Sequence, residues 1–401
     1  MVFWEDLRTG GIGPSNFCAA RGYSMTPPNV PNVVAPPPTH SAGRAVKLAS
    51  TAAIAAIALL MLYLAFWPAP IDPISYEPPP APPLTGPVEP NEKLQSSVIL
   101  FARQLDGPED IEIDADGRIY AGTADGHVML ATPHGADYDL VSFADTEGRP
   151  VGLALAPDGN LIVADAIKGL LSIDPQGTIT TLVTNAGDTP LGFTDDVDVA
   201  QDGMIYFSDA SSKFGPDEYL YDMLEGRPHG RLLSYDPKTK QTAVLMDDLC
   251  FANGVALSED EDFLLLNETY RYRVHRYWLK GDKAGTHEVL LDNLPGYPDN
   301  ITSDGHGGFW LALFTVRNDM GDWLSPRPFF KQAISKLPRA FWPKPQPYAF
   351  VVKLDGNGEI VESLQDPSGK HLREVTSARE HDGHLYLGSL HNDRIGKYKL
   401  P

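Results

Sequence analysis

One pattern recurs six times in the chain and limits its possible folds more than any other feature. Each copy consists of an alternating apolar strand, a turn that ends in Asp-Gly or a relative, and a second strand. Such alternation on both sides of turn residues predicts a β-hairpin. The six copies are "DIEIDADGRIYAGT", "GLALAPDGNLIVAD", "DVDVAQDGMIYFSD", "GVALSEDEDFLLLNE", "NITSDGHGGFWLAL" and "VTSAREHDGHLYLGS".

The spacing of the copies indicates the fold class. The first three turns, at Asp116-Gly117, Asp158-Gly159 and Asp202-Gly203, are 42 and 44 residues apart, and the later intervals are longer. A period in the forties with several strands per unit is typical of a β-propeller blade. We therefore predict an all-β fold, a six-bladed β-propeller over 91–401. An open β-sandwich is the alternative, but it would not predict equal repeats.

The ring needs a closing strand, and an early segment is a candidate for it. The strand "SSVILFARQL" has no hairpin of its own. We expect it to join the last blade beside "RIGKYKL" and so to close the ring.

Charge and cysteine content exclude some classes of function. The formal net charge is -21 over 401 residues, so we expect no nucleic-acid partner. Such acidity suits a soluble domain and the binding of cations. The two cysteines, Cys18 and Cys250, are too few for a disulfide framework, and Cys250 is predicted to be a small buried apolar residue.

The N-terminal part of the chain predicts a membrane anchor. Residues 1–43 are rich in Pro, Gly, Asn and Ser and are predicted to be disordered. The uncharged stretch 48–67, "LASTAAIAAIALLMLYLAFW", is long enough as a helix to cross a bilayer, so 44–68 is assigned as a transmembrane signal anchor. A buried core helix is the alternative. The Pro-rich segment 69–90 is expected to form an extended stalk.

The charges that flank the anchor predict its orientation. Arg44 and Lys47 precede the helix, and Asp72 and Glu77 follow it. The positive-inside rule then places the N-terminus in the cytoplasm. The propeller is expected on the periplasmic side in a bacterium, or on the lumenal or extracellular side in a eukaryote.

Polar residues recur at one register of the repeat. About eight residues before the end of each turn, blades one, three, four and five carry Glu109, Asp195, Asn253 and the pair Asp299-Asn300. Blades two and six carry Val151 and Val375 instead. Because equivalent strand starts meet around the axis of a propeller, we expect these side chains to converge at one mouth.

Converging acids require an explanation. Clustered carboxylates repel each other and take up protons unless a cation is present. Ca²⁺ binds six to eight oxygens from carboxylates and amides, so the pattern predicts a calcium site. The alternative is that each residue only caps its own turn through its side-chain oxygen.

The same stretches resemble the strictosidine synthase-like family. The similarity lies in "YFSDASSKF", "LEGRPHGRLLSYDP", "FANGVALS", "YRVHRYWLKG", "LPGYPDNI" and "HLYLGSLH", which together sample most of the domain. The family belongs to the six-bladed propeller superfamily of paraoxonases, gluconolactonase/SMP-30 and diisopropylfluorophosphatase. The resemblance therefore implies a propeller, and in several relatives a catalytic Ca²⁺.

The resemblance also implies roles for particular residues. The catalytic calcium ligands would be Glu109, Asp195, Asn253, Asp299 and Asn300, where Asp195 replaces the usual Asn. The acids that follow the first two ligands, Asp110 and Asp196, match the ligands of a second, structural Ca²⁺ in paraoxonases. His391, in "GSLHNDRIG", matches a His near the metal in some relatives, although a lone His on a late strand is more often a satisfied structural residue. The His pair proposed as a base in paraoxonases is missing, because its positions hold Val151 and Asp165.

Three functions are compatible with these residues. The leading hypothesis is a Ca²⁺-dependent hydrolase of lactones or aryl esters, in which the cation polarises the carbonyl and Asp299 helps to activate water. The second is a strictosidine synthase-type condensing enzyme. It is disfavoured because the catalytic Glu of the synthase aligns with Thr376. The third is an anchored propeller that binds a partner without catalysis.

Overall fold

Antiparallel sheets account for almost all of the regular structure after the N-terminal helix. The computed structural model describes residues 40–135 and 137–401. Within these residues the strands form six four-stranded sheets and one small hairpin. The predicted six-bladed propeller is confirmed.

Blades one to three follow each other along the chain after a first short strand. This first strand is β1 (Val98–Leu100). Blade one contains β2 (Ile111–Ile113), β3 (Ile119–Gly122), β4 (His127–His134) and β5 (Asp137–Asp145). Blade two contains β6 (Pro150–Leu155), β7 (Leu161–Asp165), β8 (Gly169–Ile173) and β9 (Ile179–Val183). The hairpin β10 (Asn185–Ala186) and β11 (Thr189–Pro190) leads to blade three, which contains β12 (Thr194–Val199), β13 (Ile205–Asp209), β14 (Gly230–Asp236) and β15 (Gln241–Leu249).

The last three blades use the remaining strands. Blade four contains β16 (Ala252–Leu257), β17 (Phe263–Glu268), β18 (Arg273–Trp278) and β19 (His287–Leu291). Blade five contains β20 (Gly296–Ser303), β21 (Phe309–Val316), β22 (Ala349–Leu354) and β23 (Ile360–Asp366). Blade six contains β24 (Val375–His381), β25 (His384–Ser389) and β26 (Ile395–Lys399).

The N-terminal strand closes the ring as the sequence predicts. β1 pairs antiparallel with β26, with Val98 opposite Lys397 and Leu100 opposite Ile395. It thus supplies the fourth strand of blade six. Closing the last blade with an early strand ties the two ends of the propeller together.

Helices are few. The α-helices are α1 (His40–Phe66), α2 (Tyr219–Glu225) in blade three, and α3 (Asp319–Leu324) and α4 (Pro328–Ser335) between β21 and β22. Six short 3₁₀ helices in the described residues cover Gly86–Val88, Lys93–Ser96, Pro216–Glu218, Thr269–Arg271, Gly281–Lys283 and Arg339–Phe341.

The core lies between neighbouring blades. Leu265 of blade four packs in one cluster with Leu311 and Phe350 of blade five, and all three are almost fully buried. Each blade is thus apolar on both faces, which explains the near-continuous apolar runs in its inner strands. The thiol of Cys250 is buried as predicted, whereas Cys18 lies outside the described residues.

The N-terminal segments can be described separately from the propeller. Within the described residues, one helix segment, Arg44–Phe66, is long and apolar enough to span a membrane. The predicted disorder of 1–43 falls largely outside the described residues, and α1 begins at His40. The chain divides into one compact unit that ends at Met61 and another from Leu62 to Pro401. Within the second unit, Ile71 of the predicted stalk is buried with Leu224 and Trp342.

Candidate functional site

The predicted ligands lie at irregularities in the first strand of each blade. These first strands are the innermost ones, since β12 contacts β16, β16 contacts β20, and β20 contacts β24. In blade three, Thr194 pairs with Asp209 and then Val197 with Phe207, so two residues oppose one. Blades four and five repeat this bulge at Asn253-Gly254 and Asp299-Asn300. A β-bulge re-aims side chains and often lies beside an active site.

Glycine allows the bulged strands to approach each other. A Cβ on Gly254 would lie 2.5 Å from the carbonyl oxygen of Asp299 in the next blade. The side-chain amide of Asn267 donates a hydrogen bond to the same carbonyl oxygen. The "FANG" stretch therefore holds blade five's ligand strand against blade four.

The structure brings most of the predicted site residues to one cavity. Glu109, Asp195, Asn253, Asp299 and His391 all line a cavity of about 510 Å³. Asn300 is buried beside them but does not contribute to the lining. The rest of the wall is largely apolar and includes Phe193, Leu220, Met223, Phe251, Tyr270, Phe314, Leu324 and Trp342. The predicted convergence is found, while the role of these residues as ligands stays a prediction.

Three buried polar atoms of the predicted ligands have no hydrogen-bond partner. Asp195 Oδ2 and Asn253 Oδ1 are buried and unpartnered, and so is Asn300 Nδ2. A half-turn of the Asn300 amide would present its oxygen instead. Leaving such atoms unsatisfied costs about 1–3 kcal/mol each, so native proteins rarely do it without a reason. Unpartnered carboxylate and amide oxygens are the donors that Ca²⁺ takes.

The electrostatics of the mouth also favour a cation. Burial raises the pKa of Asp195 well above its ordinary value, and the negative charges of Glu109 and Asp299 raise it further. Burial likewise raises the pKa of Asp299, followed by the charge of Glu109, against the opposing hydrogen bond from Asn253. A raised pKa favours the protonated form of these acids, whereas a bound cation would favour the ionised form.

One predicted ligand already has a protein partner. Arg149 Nη2 donates to Glu109 Oε2 at 2.7 Å, and both side chains are largely buried. Among residues 40–135 and 137–401, no group of three or more His, Cys, Asp or Glu side chains is arranged to hold a metal ion. The carboxylates of Asp195 and Asp299 and the amides of Asn253 and Asn300 are still donors of the kind that Ca²⁺ takes. Glu109 could join them only while it also contacts Arg149.

The acids that follow the first two ligands lie in a different environment. Asp110 Oδ2 accepts the backbone N–H of Leu153, and Asp196 Oδ2 accepts that of Val255, both at 2.8 Å. Each carboxylate thus links its own blade to the next one. The guanidinium of Arg379 supplies positive charge to both carboxylates. The second calcium ion predicted there stays a prediction, since neither carboxylate has an orphaned buried oxygen.

His391 is held by an acid that the sequence did not single out as its partner. Its Nδ1 lies 2.7 Å from Glu374 Oε2, and the carboxylate is largely buried while the imidazole is half exposed. A carboxylate that binds one ring nitrogen fixes the orientation of the imidazole and leaves the other nitrogen toward the cavity or solvent.

Thr376 occupies a structural position. Its hydroxyl is fully buried and donates to the carbonyl oxygen of Glu109 at 2.6 Å, which joins blade six to blade one. It is not positioned as a base. Val151 packs in an apolar cluster with Phe193 and Tyr270, and Asp165 accepts three backbone N–H groups from residues 149, 167 and 168.

Sequence reasoning did not predict the contacts of three charged residues near the site. These are Arg149, Glu374 and Arg379, which pair with Glu109, His391 and Glu112 respectively. None of them lies at the register of the ligands. Arg149 is two residues before Val151, so counting outward from the repeat register would have found it.

Comparisons with known proteins agree with this fold. The family model described as "Strictosidine synthase" matches residues 195–282, and "Strictosidine synthase-like, N-terminal" matches residues 86–130. Adipocyte plasma membrane-associated protein of Rattus norvegicus is 38% identical over 356 residues, which cover 82% of this chain and 93% of that protein.

Two solved structures share the fold at low sequence identity. A gluconolactonase from Xanthomonas campestris superposes with a TM-score of 0.56 and 17% identity, over 84% of this chain and 99% of that chain. A calcium-binding protein, regucalcin, from Agrobacterium tumefaciens gives a TM-score of 0.54 at 14% identity, over 75% and 93%. By sequence and fold, this chain belongs to the strictosidine synthase-like family of six-bladed β-propellers, together with adipocyte plasma membrane-associated protein.

Proposed function

We propose that the propeller is a membrane-anchored, Ca²⁺-dependent hydrolase of lactones or aryl esters. The observation that carries the proposal is the set of buried, unpartnered oxygens of Asp195 and Asn253 at the base of an apolar cavity. Buried oxygens without a partner also occur at Asp165, Asp222 and Asn267, but those of Asp195 and Asn253 belong to two residues that line one cavity. The strictosidine synthase match and the gluconolactonase neighbour both bear enzyme names, which supports a propeller enzyme family.

One set of residues would hold the cation, and another would bind the substrate. Asp195, Asn253, Asp299 and Asn300 would hold the ion, and Glu109 would join them or remain with Arg149. Bound Ca²⁺ would supply Lewis-acid polarisation of the substrate's carbonyl oxygen. The aromatic wall formed by Phe193, Phe251, Tyr270 and Trp342 would bind the acyl or aryl part and exclude bulk water.

Two groups in the cavity are suited to proton transfer. Asp299 is buried beside other acids, so its ionised form would readily accept a proton from an attacking water. His391, oriented by Glu374, would hold or return a proton at its second ring nitrogen. These assignments need no His at positions 151 and 165.

The condensing reaction receives less support from the site. It requires a base at position 376, and the Thr376 hydroxyl is instead engaged with the Glu109 carbonyl. Glu374, the nearest acid in sequence, is bound to His391.

Calorimetry and hydrolysis assays on the purified full-length protein test the proposal. We expect Ca²⁺ binding, and Ca²⁺-dependent hydrolysis within a panel of lactones and aryl esters. Asp299→Asn should abolish hydrolysis. Asp158→Asn should not, because Asp158 is an exposed turn residue that bonds only Asn160. Failure to bind Ca²⁺ would leave the anchored binding propeller as the better account, and condensation of an amine with an aldehyde would favour the synthase reading.

A further inference from the structure

The segment 317–343, inserted between β21 and β22, exposes an unusual number of large apolar side chains. Five of them are between 44% and 72% exposed: Met320, Trp323, Phe329, Phe330 and Phe341. The same segment buries Leu324 and Trp342, which line the cavity. The fold thus explains one apolar face of the segment and leaves the other without a partner. The ring of Phe330 lies 5.1 Å from that of Trp323 and 5.5 Å from that of Phe329, so these three side chains form one exposed apolar surface, which usually marks a binding site.

The charge of this segment differs from that of the chain as a whole. Residues 317–343 contain five Lys or Arg and two Asp, in a chain of net charge -21. Lys331 and Lys336 donate to the backbone carbonyl oxygens of Ile74 and Leu64. Lys331 is buried, and Arg317 is buried and paired with Asp322, so the basic residues of the segment that reach solvent are Arg327, Lys336 and Arg339. Basic residues interleaved with aromatic ones are typical of segments that lie in the headgroup region of a bilayer.

The course of the chain places this segment close to the predicted membrane span. α1 ends at Phe66, and the Asp72 N–H already donates to the Glu225 carboxylate at 2.8 Å. Six residues extend over about 20 Å at most. Within the unit that starts at Leu62, the Tyr63 hydroxyl donates to the Lys336 carbonyl oxygen at 3.1 Å. The last residues of α1, from Leu62 to Phe66, therefore lie beside the insertion.

We propose that segment 317–343 docks on the surface of the bilayer that α1 spans. Its five exposed apolar side chains would enter the interfacial region, and Arg327, Lys336 and Arg339 would lie at the phosphates of anionic lipids. Since Leu324 and Trp342 line the cavity from the other face, docking would hold this wall at the membrane surface. The proposal does not depend on the reaction that the cavity performs.

A fluorescent label on the full-length protein tests the docking. In a Cys18→Ser background, Phe330→Cys carries an NBD label, and Cys250 is protected by burial. The protein is reconstituted in vesicles of phosphatidylcholine and phosphatidylglycerol. We expect blue-shifted emission that nitroxide-labelled lipids quench. The control is Val141→Cys on β5, which is equally exposed but lies in blade one. Its emission should be that of a label in water.

A second variant separates docking from simple tethering. Phe329→Ser combined with Phe341→Ser should lower lipid quenching at position 330 several-fold without changing the far-ultraviolet circular dichroism. Replacing phosphatidylglycerol with phosphatidylcholine should lower it as well. Equal quenching of the labels at 330 and 141 by aqueous iodide, with no lipid quenching, would overturn the proposal. A protein partner would then remain as the alternative occupant of the exposed face.

Discussion

Two groups of buried carboxylates occupy neighbouring positions on the same strands, and the fold treats them differently. At the mouth, Asp195 keeps a buried oxygen without a partner. Its neighbour Asp196 accepts the backbone N–H groups of Val197 and Val255 at 2.8 Å. Arg379 lies 3.0 Å from Glu112 and adds positive charge near Asp110 and Asp196. We call Asp110, Glu112 and Asp196 the channel acids, and Glu109, Asp195 and Asp299 the mouth acids.

The difference lies in the supply of hydrogen-bond donors. A bulge in the strand presents both neighbours toward the axis, but the backbone of the next blade offers its N–H to only one of them. The channel acids thus join blades together. At the mouth, by contrast, one buried oxygen of Asp195 has no donor, and Glu109 is paired with Arg149. The two groups should therefore respond in opposite ways to Ca²⁺ and to charge removal.

Chelation should give the largest effect. Without a cation, the neighbouring carboxylates of Asp195, Asp299 and Glu109 repel each other. The proposed hydrolysis also loses the Lewis acid that polarises the substrate carbonyl. We expect activity to fall to background and the melting temperature to drop. An ion at 1,000 times its Kd stabilises the native state by about 4 kcal/mol. Thermal unfolding of the full-length protein with EGTA measures the loss.

Adding cations back to the chelated protein tests which ion the site prefers. Ca²⁺ should restore both properties, whereas Mg²⁺ should do so poorly because it demands a tighter octahedral shell. If EGTA does not change the melting temperature, the mouth acids bind no ion. Like the channel acids, they would then be stabilised by contacts within the protein.

Removing the channel cation should give the next largest effect. Arg379→Met leaves Glu112 and its neighbours without their guanidinium. Breaking a buried ion pair by removing one partner typically costs about 3–5 kcal/mol. We expect the free energy of unfolding, measured in urea, to fall by about 3 kcal/mol whether or not Ca²⁺ is present. Arg379→Lys should lose less. Full rescue of Arg379→Met by Ca²⁺ would contradict the separation of mouth from channel.

The adjacent pair Asp195 and Asp196 allows a matched comparison. Asp195→Asn should abolish the stabilisation by Ca²⁺, and the chelated variant should be no less stable than the chelated wild type, because repulsion is relieved. Asp196→Asn retains one acceptor oxygen for two backbone N–H groups. It should therefore lose about 2 kcal/mol with or without Ca²⁺. If both variants lose the same free energy of unfolding in urea, with and without Ca²⁺, then Asp195 and Asp196 do not differ in role.

The sequence predicts the propeller well because its signals are local and repeated. Each Asp-Gly turn lies between two apolar strands, and Gly117 and Gly159 do adopt the left-handed backbone that such turns require. The closing pair β1 and β26 is also predicted, since β1 lacks a hairpin of its own. Repetition reduces the number of folds that satisfy all six units at once.

The site is predicted only in part, because its partners come from outside the repeat. Counting in register finds Asp195 and Asp299, which the structure brings to one cavity. It does not find Arg149 or Glu374, whose contacts depend on side-chain direction across blades. Nor does alternation reveal that Asp196 and Asp110 accept backbone N–H groups from the next blade. Such contacts follow from the spacing between blades, which the sequence pattern does not encode.

The pH dependence of stability should distinguish the chelated protein from the calcium-bound one. The folded-state pKa values of Asp195 and Asp299 are raised by burial and then by nearby acids. Such acids bind more protons when folded, so their contribution to stability falls as pH rises from their ordinary pKa, about 4, through the raised one. The chelated protein should gain a few degrees in melting temperature between pH 8 and pH 5.

With saturating Ca²⁺ the trend should reverse, because protons compete with the ion for the same carboxylates. Differential scanning calorimetry across this range measures both curves. Parallel curves in EGTA and in Ca²⁺ would show that the mouth acids do not bind the ion.

Arg149 should produce the smallest of these effects. Its guanidinium bonds Glu109 at 2.7 Å and places a positive charge at the mouth, where it opposes a bound cation. Arg149→Gln frees the Glu109 carboxylate as a ligand and removes that repulsion, so Ca²⁺ should bind about tenfold more tightly, about 1.4 kcal/mol. Without Ca²⁺ the same variant should be less stable than the wild type, because Glu109 loses its partner.

Arg118→Gln is the matched control, since Arg118 forms a similar pair with Asp114 at 2.6 Å on a turn of blade one. Calorimetric titration measures the Kd for Ca²⁺ of the wild type and of both variants. Equal Kd values for all three would mean that Glu109 pairs only with Arg149 and is not a ligand of the ion.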